Sequence, residues 1–313
     1  VPQGIRILFL GAGKRLSLLE CFQAAARAEG LALEVWSVER SAKVPIAVLA
    51  KVLVGPQFED EEFESYLLAA VERLQLDLVI PNMDSAAVAL SRLKAKISAL
   101  GAQAVVSDHR LCLTMCDKSA AAAWFAARGL PIPEGNGFPR IAKRRFGFGS
   151  RGQFVANDED ELGIFLSRRR KEDYVLQPFI PGQEYTVDAY VDRAGRAVCI
   201  LSRKRLEVSA GEVQVSETHH HPGIIALTQT ILDVRGWEGP ITLQFIDGPE
   251  RVVALEINPR FGGGVTHSIH VGLDMPRWLI CEHLGRPLPP VPDWPDGSIM
   301  TRCGRDIFHD SPH

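Results

Sequence analysis

The 313-residue chain has no excess of either charge: 35 basic side chains stand against 38 acidic ones, a formal net charge of −3. That balance excludes the blanket cationic surface on which non-specific nucleic-acid binding depends. No apolar run approaches the roughly 20 residues that span a bilayer, and Val1-Pro2-Gln3-Gly4-Ile5-Arg6 lacks the layout of a secretory leader. No nucleic-acid partner, no membrane and a cytoplasmic location are therefore expected. Cysteine is scarce: Cys21, Cys112, Cys116, Cys199, Cys281 and Cys303 include no Cys-x-x-Cys pair. Reduced, buried thiols fit that spacing better than zinc or disulfides. Internal repeats and low-complexity tracts are also missing. What is present, 46% apolar against 23% charged residues, is core enough for two or three domains of roughly 100–200 residues each.

The first hundred residues alternate strand and helix. Ile5–Leu10 is an apolar strand running into the turn Gly11-Ala12-Gly13. Arg15–Glu29 carries Leu16, Leu19, Phe22 and Ala26 at helical steps, and Gly30 stops it. Strands over Leu33–Val38, Leu76–Ile80 and Ala102–Val106 and helices over Phe63–Leu74 and Ser85–Leu100 complete a parallel, doubly wound domain over 1–107. One helical stretch from Leu111 to Arg128 follows, and then the Gly/Pro-rich segment 129–137. Beyond it, strands come in pairs: Arg140–Lys143 with Gln153–Val155, Tyr185–Tyr190 with Ala197–Leu201, and Ile241–Phe245 with Val252–Ile257. Asp192-Arg193-Ala194-Gly195 and Asp247-Gly248-Pro249-Glu250 are hairpin turns. The expected class is α/β: a Rossmann-like parallel domain, then an α+β region with antiparallel sheets divided into 108–175 and 176–313.

Four segments carry chemistry. Gly11-x-Gly13, with Glu39 ending the second strand, suits a dinucleotide site, but Leu16 stands where the fingerprint's third glycine belongs and Lys14 and Arg15 add cations. A tight strand-to-helix turn fits it better. Lys143 on a strand end, then Gly147, Gly149, Ser150 and Gly152, can cradle phosphates through backbone N–H groups; a basic surface hairpin is the plain alternative. Gln177–Ile180 followed by Glu184 can read an adenine edge and hold ribose hydroxyls, or be only strand, turn and strand. In Glu256-Ile257-Asn258-Pro259-Arg260, the period of two puts Glu256 and Asn258 on one strand face, with Arg260 continuing it. Paired oxygen donors suit magnesium, and Gln244 on the preceding strand could complete the shell.

Lys143 with its glycine loop, Gln177–Glu184, Gln244 and Glu256-x-Asn258-x-Arg260 occur in the order of the ATP-grasp superfamily, which the chain resembles over nearly its whole length. The Gln…Glu-x-Asn-x-Arg set is similar to the synthetase units of the carbamoyl-phosphate synthase large subunit, and Asn258–Gly264 to the pyrrolysine-biosynthesis ligase. The resemblance implies an ATP-grasp fold over the α+β region. Lys118, Lys143, Gly147, Gly149 and Ser150 would contact phosphates, and Gln177, Phe179 and Ile180 would read adenine. Glu184 would hold ribose, and Leu255 would pack on the base. It implies magnesium, as two ions with manganese an alternative, on Gln244, Glu256 and Asn258. Arg260 and Lys143 would be catalytic, and Arg203, Arg205, Arg260, Gly263 and Gly264 would face substrate. Many members have an acid where Gln244 stands.

The function so implied is an ATP-dependent ligase joining a carboxylate to an amine, or a similar nucleophile, through an acyl phosphate. The partners are ATP and these small molecules, with a homodimer left open. A non-catalytic ATP-binding protein or a nicotinamide-dependent oxidoreductase are the alternatives. His219-His220-His221 reads as a polar loop near the site entrance rather than a metal site, since three consecutive residues cannot all face one ion from a regular strand. A thermal-unfolding scan separates these readings. A ligand at a hundred times its Kd stabilises by about 2.7 kcal/mol, so magnesium-ATP should raise Tm, with no rise from NAD; a rise with NAD alone would overturn the ATP-grasp reading.

Overall fold

In a computed structural model of the chain, which describes residues 4–147, 149 and 152–309, the N-terminal strands are buried on both faces, as parallel strands covered by helices are. In β1 (Gly4–Leu10), Ile5, Ile7 and Phe9 enter one core and Leu8 and Leu10 another. Helix α1 (Leu16–Ala28), β2 (Ala32–Glu39), β3 (Lys51–Val54), α2 (Phe63–Leu74), β4 (Leu78–Pro81), α3 (Asp84–Ala99) and β5 (Gln103–Ala104) follow. The sheet order is β3-β2-β1-β4-β5, all parallel. The strand order reverses between β1 and β4, the position at which such sheets leave a crevice at their C-terminal ends. The expected last strand shrinks to two residues, and β3 is an addition that the sequence pattern missed.

The stretch expected as one helix is two, α4 (His109–Cys116) and α5 (Lys118–Ala126). Asp117 breaks it. Its backbone is extended, and its Oδ1 accepts from the N–H groups of Ser119 (3.0 Å) and Ala120 (3.4 Å), so α5 is capped at its N-terminus.

Strands β6 (Arg140–Arg144) and β7 (Phe154–Ala156), helix α6 (Glu159–Leu166) and β8 (Tyr174–Pro178) form a small antiparallel sheet ordered β7-β6-β8. Then come β9 (Gln183–Val191), β10 (Ala197–Ser209), β11 (Glu212–Thr218), α7 (Pro222–Leu232), β12 (Gly239–Asp247), β13 (Val252–Asn258), α8 (Val265–His270), α9 (Met275–His283) and β14 (Ile299–Thr301). Their sheet runs β13-β12-β9-β10-β11-β14. The α/β class and all three expected hairpin pairs are present; β11, β14 and α6–α9 were not foreseen.

The large sheet is two-faced. Tyr185, Val187, Ile241, Leu243, Phe245 and Ile257 pack on α4, α5 and α7. The other face carries two transverse rows set by register: Arg203, Thr186, Gln244 and Glu256, then Leu201, Asp188, Thr242 and Asn258. Phe9 and Phe22 stack edge-on, and Phe22 on Phe261, so the parallel domain and the large sheet share one core. No residue of the small sheet is in the three main core clusters.

A buried ion pair links the two rows. Arg203 and Asp188 are 0% and 1% exposed, with Nη2 2.6 Å from Oδ2. Ser268 Oγ donates to the same carboxylate at 2.6 Å and Thr242 Oγ1 at 3.3 Å. A pair this dry contributes little net stability, but removing one partner strands a charge and costs about 3–5 kcal/mol. Asp188→Ala should therefore lower the urea midpoint sharply. The double variant Asp188→Leu/Arg203→Met should recover most of the loss; no recovery would mean that the pair fixes packing that an apolar couple cannot.

Candidate active site

A cavity of about 670 Å³ opens where the three sheets meet. Every site residue expected from sequence lines it except Ser150, which lies outside the described residues together with Phe148 and Arg151 of the same loop.

At one end are the cations and the glycine loop. Lys143, on β6, is largely buried, and burial pushes its ammonium below the usual lysine range against the opposing pull of Glu256 and Glu184. Lys118, the first residue of α5, donates to the Gly147 carbonyl at 2.8 Å and lies 3.9 Å from Glu256 Oε2. Arg145 ties the loop's base to that helix through Asp117, at 2.9 and 2.6 Å. Gly149 has φ +65° and packs on Gly211, whose added Cβ would sit 2.3 Å from the Gly149 carbonyl carbon, so both positions exclude a side chain. Gln177 pairs with Ile141 across β8 and β6, and the Phe179 N–H is committed to Pro139 O at 2.8 Å. Phe179 can thus offer a ligand its half-exposed ring and its carbonyl, not its N–H. Glu184 makes a 3.0 Å ion contact with Arg205 Nε that lacks hydrogen-bond alignment.

Leu255 and Glu256 both face the cavity, which strict strand alternation forbids. A β-bulge permits it: Gln244 pairs with Glu256 and Phe245 with Ala254, so Leu255 is the extra residue. An apolar wall and a carboxylate are adjacent on one strand.

Asn258 Nδ2 donates to Glu256 Oε1 at 3.1 Å, and its Oδ1 accepts from Arg260 Nη2 at 3.2 Å. Arg260 is also held by two bonds to Asp84 in the first turn of α3, 2.7 and 2.9 Å. Burial opposes its charge, but Asp84 and Glu256 together raise its pKa. Asp84 was missed from sequence because it lies 176 positions away; its place just after a parallel strand was the available signal. Among the described residues no three His, Cys, Asp or Glu side chains are grouped to hold a metal. Gln244, Glu256 and Asn258 offer one carboxylate and two amides, a donor set that fits magnesium when phosphates and waters complete the shell.

Arg203-Lys204-Arg205 is a basic run. It lies within β10 and alternates faces: Arg203 and Arg205 line the cavity, while Lys204 points away to Glu217 at 2.8 Å. Gly264 passes so close to Arg203 that a Cβ would stand 2.8 Å from Nη1, and one on Gly262 would stand 2.7 Å from Thr242 Oγ1. Gly263 lines the same wall. The three histidines do not line the cavity: His219 is 3.4 Å from Asp296, His220 stacks on Trp294, and His221 caps α7. Asp296 and Trp294, far along the chain, draw them apart.

The alternative glycine turn is also on the cavity wall, with Glu39 packed against it at Gly13. Glu39 Oε1 accepts from Ser37 Oγ at 2.6 Å, and burial raises its carboxyl against the opposing pull of the Ala12 and Gly13 backbone. A carboxylate that closes the turn occupies the place a cofactor pyrophosphate would need.

Residues 170–303 match a family described as "ATP-grasp in the biosynthetic pathway with Ter operon". The carbamoyl phosphate synthase large chain of Clostridium botulinum (strain Alaska E43 / Type E3) is 25% identical over 151 residues, 44% of this chain; the chain spans only 14% of that relative's length. Among solved structures, N5-carboxyaminoimidazole synthetase from Staphylococcus aureus, complexed with ADP, aligns with a TM-score of 0.76 at 16% identity, over 97% of this chain and 83% of that one. The biotin carboxylase domain of Hydrogenobacter thermophilus 2-oxoglutarate carboxylase, a dimer with MgADP and bicarbonate, aligns at 0.72 and 14%, over 94% and 73%. Residues 170–303 thus match an ATP-grasp family, and the fold of the chain is similar to that of these structures, with a distant sequence similarity to the carbamoyl phosphate synthase large chain. Among the described residues no helix is long and apolar enough to cross a membrane.

Behind Arg203, the chain continues through Ser216 Oγ to His267 Nδ1 (2.9 Å), and His267 Nε2 lies 3.2 Å from Ser298 Oγ. Burial and the Arg203 charge push His267 down to about 4 from 6.5. The unfolded chain then binds the extra proton between these values. The contribution is complete above pH 6.5 and is lost on acidification towards 4, about 3 kcal/mol in all. Equilibrium unfolding should show that fall, and His267→Gln should flatten it; an unchanged slope would remove His267 as its source.

Proposed function

We propose that the chain is an ATP-dependent ligase that joins a carboxylate to an amine, or a similar nucleophile, and releases ADP and phosphate, in amino-acid, peptide or secondary-metabolite biosynthesis. The observation that carries this reading is the meeting, in one cavity, of Lys118, Lys143 and the glycine loop with Gln244, Glu256, Asn258 and Arg260. A non-catalytic nucleotide binder would have no use for that second group.

In this mechanism the base lies between Leu255 and the Gln177–Ile180 segment, and Glu184 takes the ribose hydroxyls. Lys143 and Lys118 neutralise the phosphate oxygens, and the backbone of Gly147 and Gly149 closes over them. Gln244, Glu256 and Asn258 would hold magnesium, which shields the phosphate charge when bound. A substrate carboxylate oxygen attacks the γ-phosphorus and ADP leaves with its electron pair, giving an acyl phosphate. Arg260, preset by Asp84, stabilises the equatorial oxygens of the transferring group. The amine then attacks the acyl carbon, inorganic phosphate departs, and a proton is lost to solvent. No side-chain nucleophile is needed. The expected setting is cytoplasmic, where ATP is supplied.

Two variants test the assignment. With a mixture of carboxylic acids and amines, Glu256→Gln and Arg260→Ala should each lower ADP release at least about a hundredfold, with circular dichroism unchanged. Glu256→Gln is isosteric and guards against a folding defect in the other variant. Wild-type ADP release from either would remove that residue from the reaction.

A further inference from the structure

Glu184 stands loosely at the nucleotide end of the cavity. Its side chain is 47% exposed, and a carboxylate on such a surface samples several rotamers unless a partner holds it. The partner is Arg205, whose side chain is only 8% exposed and whose Nε lies 3.0 Å from Glu184 Oε2. Beside them, the Gln183 side-chain amide donates to the Arg205 carbonyl at 2.9 Å, so β9 and β10 are tied at this point.

The other arm of the same guanidinium reaches the tip of the β10–β11 hairpin. Arg205 Nη2 donates to the Gly211 carbonyl at 3.1 Å, and Nη1 lies 3.5 Å from Thr186 Oγ1. Ala210 and Gly211 both have positive φ, +49° and +78°, and the glycine loop rests on this turn. A Cβ on Gly211 would stand 2.3 to 2.7 Å from the Gly149 backbone, and one on Gly149 would stand 3.3 Å from the Ala210 carbonyl. One planar cation thus touches both the carboxylate read as the ribose ligand and the backbone on which the phosphate loop sits.

Burial works against this placement. It lowers the Arg205 pKa, with Glu184 and Glu256 pulling the other way and Arg203 adding repulsion. Arg205 Nε is shut off from solvent and has no aligned acceptor. That atom is out of a ligand's reach and serves only the neighbouring carboxylate. A desolvated guanidinium is costly, and a position needed only for packing would carry an apolar chain. A lysine would supply the charge from a single point and could not span both partners.

We propose that Arg205 is a positioning residue that couples the sugar end of the nucleotide site to its phosphate end. It fixes Glu184 for the ribose hydroxyls and, through Gly211, fixes the seat of the glycine loop. It thereby sets the preference for ribonucleotides over 2′-deoxyribonucleotides and strengthens the preference for diphosphates over monophosphates. The inference rests on the nucleotide reading of the cavity, not on which substrates are joined.

The test is calorimetric titration of the full chain with MgADP, its 2′-deoxy analogue and AMP, which needs no turnover. The wild type should bind MgADP at least about tenfold more tightly than the deoxy form, the worth of one charge-assisted hydrogen bond. Arg205→Met should bring that ratio close to one and also reduce the ratio of MgADP to AMP. Glu184→Gln, at a half-exposed position, should reduce the sugar ratio alone, and adding Arg205→Met to it should not reduce that ratio further. Arg205→Lys should restore the sugar ratio in part and leave the phosphate ratio low; with Glu184→Gln it keeps the test decisive if Arg205→Met fails to fold. Unchanged ratios in Arg205→Met would overturn the role. An equal loss for all three ligands would overturn it too, since general loosening of the sheet produces that. A wild type that binds MgADP without a sugar preference would also overturn it. A wild type that binds no MgADP would bring down the nucleotide reading, and this role with it.

Discussion

The two-pronged bond between Asp84 and Arg260 is the contact on which the cavity's arrangement turns. It joins the first turn of α3, in the parallel domain, to the loop that leaves β13 in the antiparallel one. Through Asn258, whose amide bridges Arg260 and Glu256, it aligns the polar row that faces the glycine loop. A carboxylate at a helix start is favoured by the helix dipole, so Asp84 is itself held in place. A flexible side chain otherwise free to sample many rotamers is reduced to one, which is what stabilising a developing charge requires.

Along the same face the fold accepts a cost. Asp188 and Arg203 are as dry as any apolar pair in the core, with Ser268, Thr242 and Ser216 taking up their remaining bonds. The return is geometric. With Arg203 pinned, the Gly264 backbone can settle directly over it, and Gly262 over Thr242, closer than any side chain would allow. At Gly264 the cavity wall is backbone resting on a fixed charge.

Local chemistry was legible in the sequence, and long-range pairing was not. Helix period placed α1 and α2 within a residue of their observed ends, and strand period put Glu256, Asn258 and Gln244 on a shared face. Leu255 defied that rule because a bulge is a property of two strands together, invisible in one. Asp84, Asp188 and Asp296 each capture a basic or histidine side chain that, read alone, looked free for substrate, solvent or metal. Asp117 was readable, since an acid before Ser119 is a cap, but helical composition on both sides hid the break. The small C-terminal strand β14 exists only because β11 offers it an edge.

The unequal sharing of core has a mechanical meaning. The parallel domain and the large sheet are welded through Phe9, Phe22 and Phe261, whereas β6–β8 contribute nothing to the main apolar clusters. Shifting the welded pair would expose buried aromatic surface; tilting the small sheet would expose almost none. The cavity is therefore a vice with one fixed jaw. Arg260, Asp84 and Arg15 belong to the fixed side, while Lys143 and the glycine loop ride on the jaw that can travel.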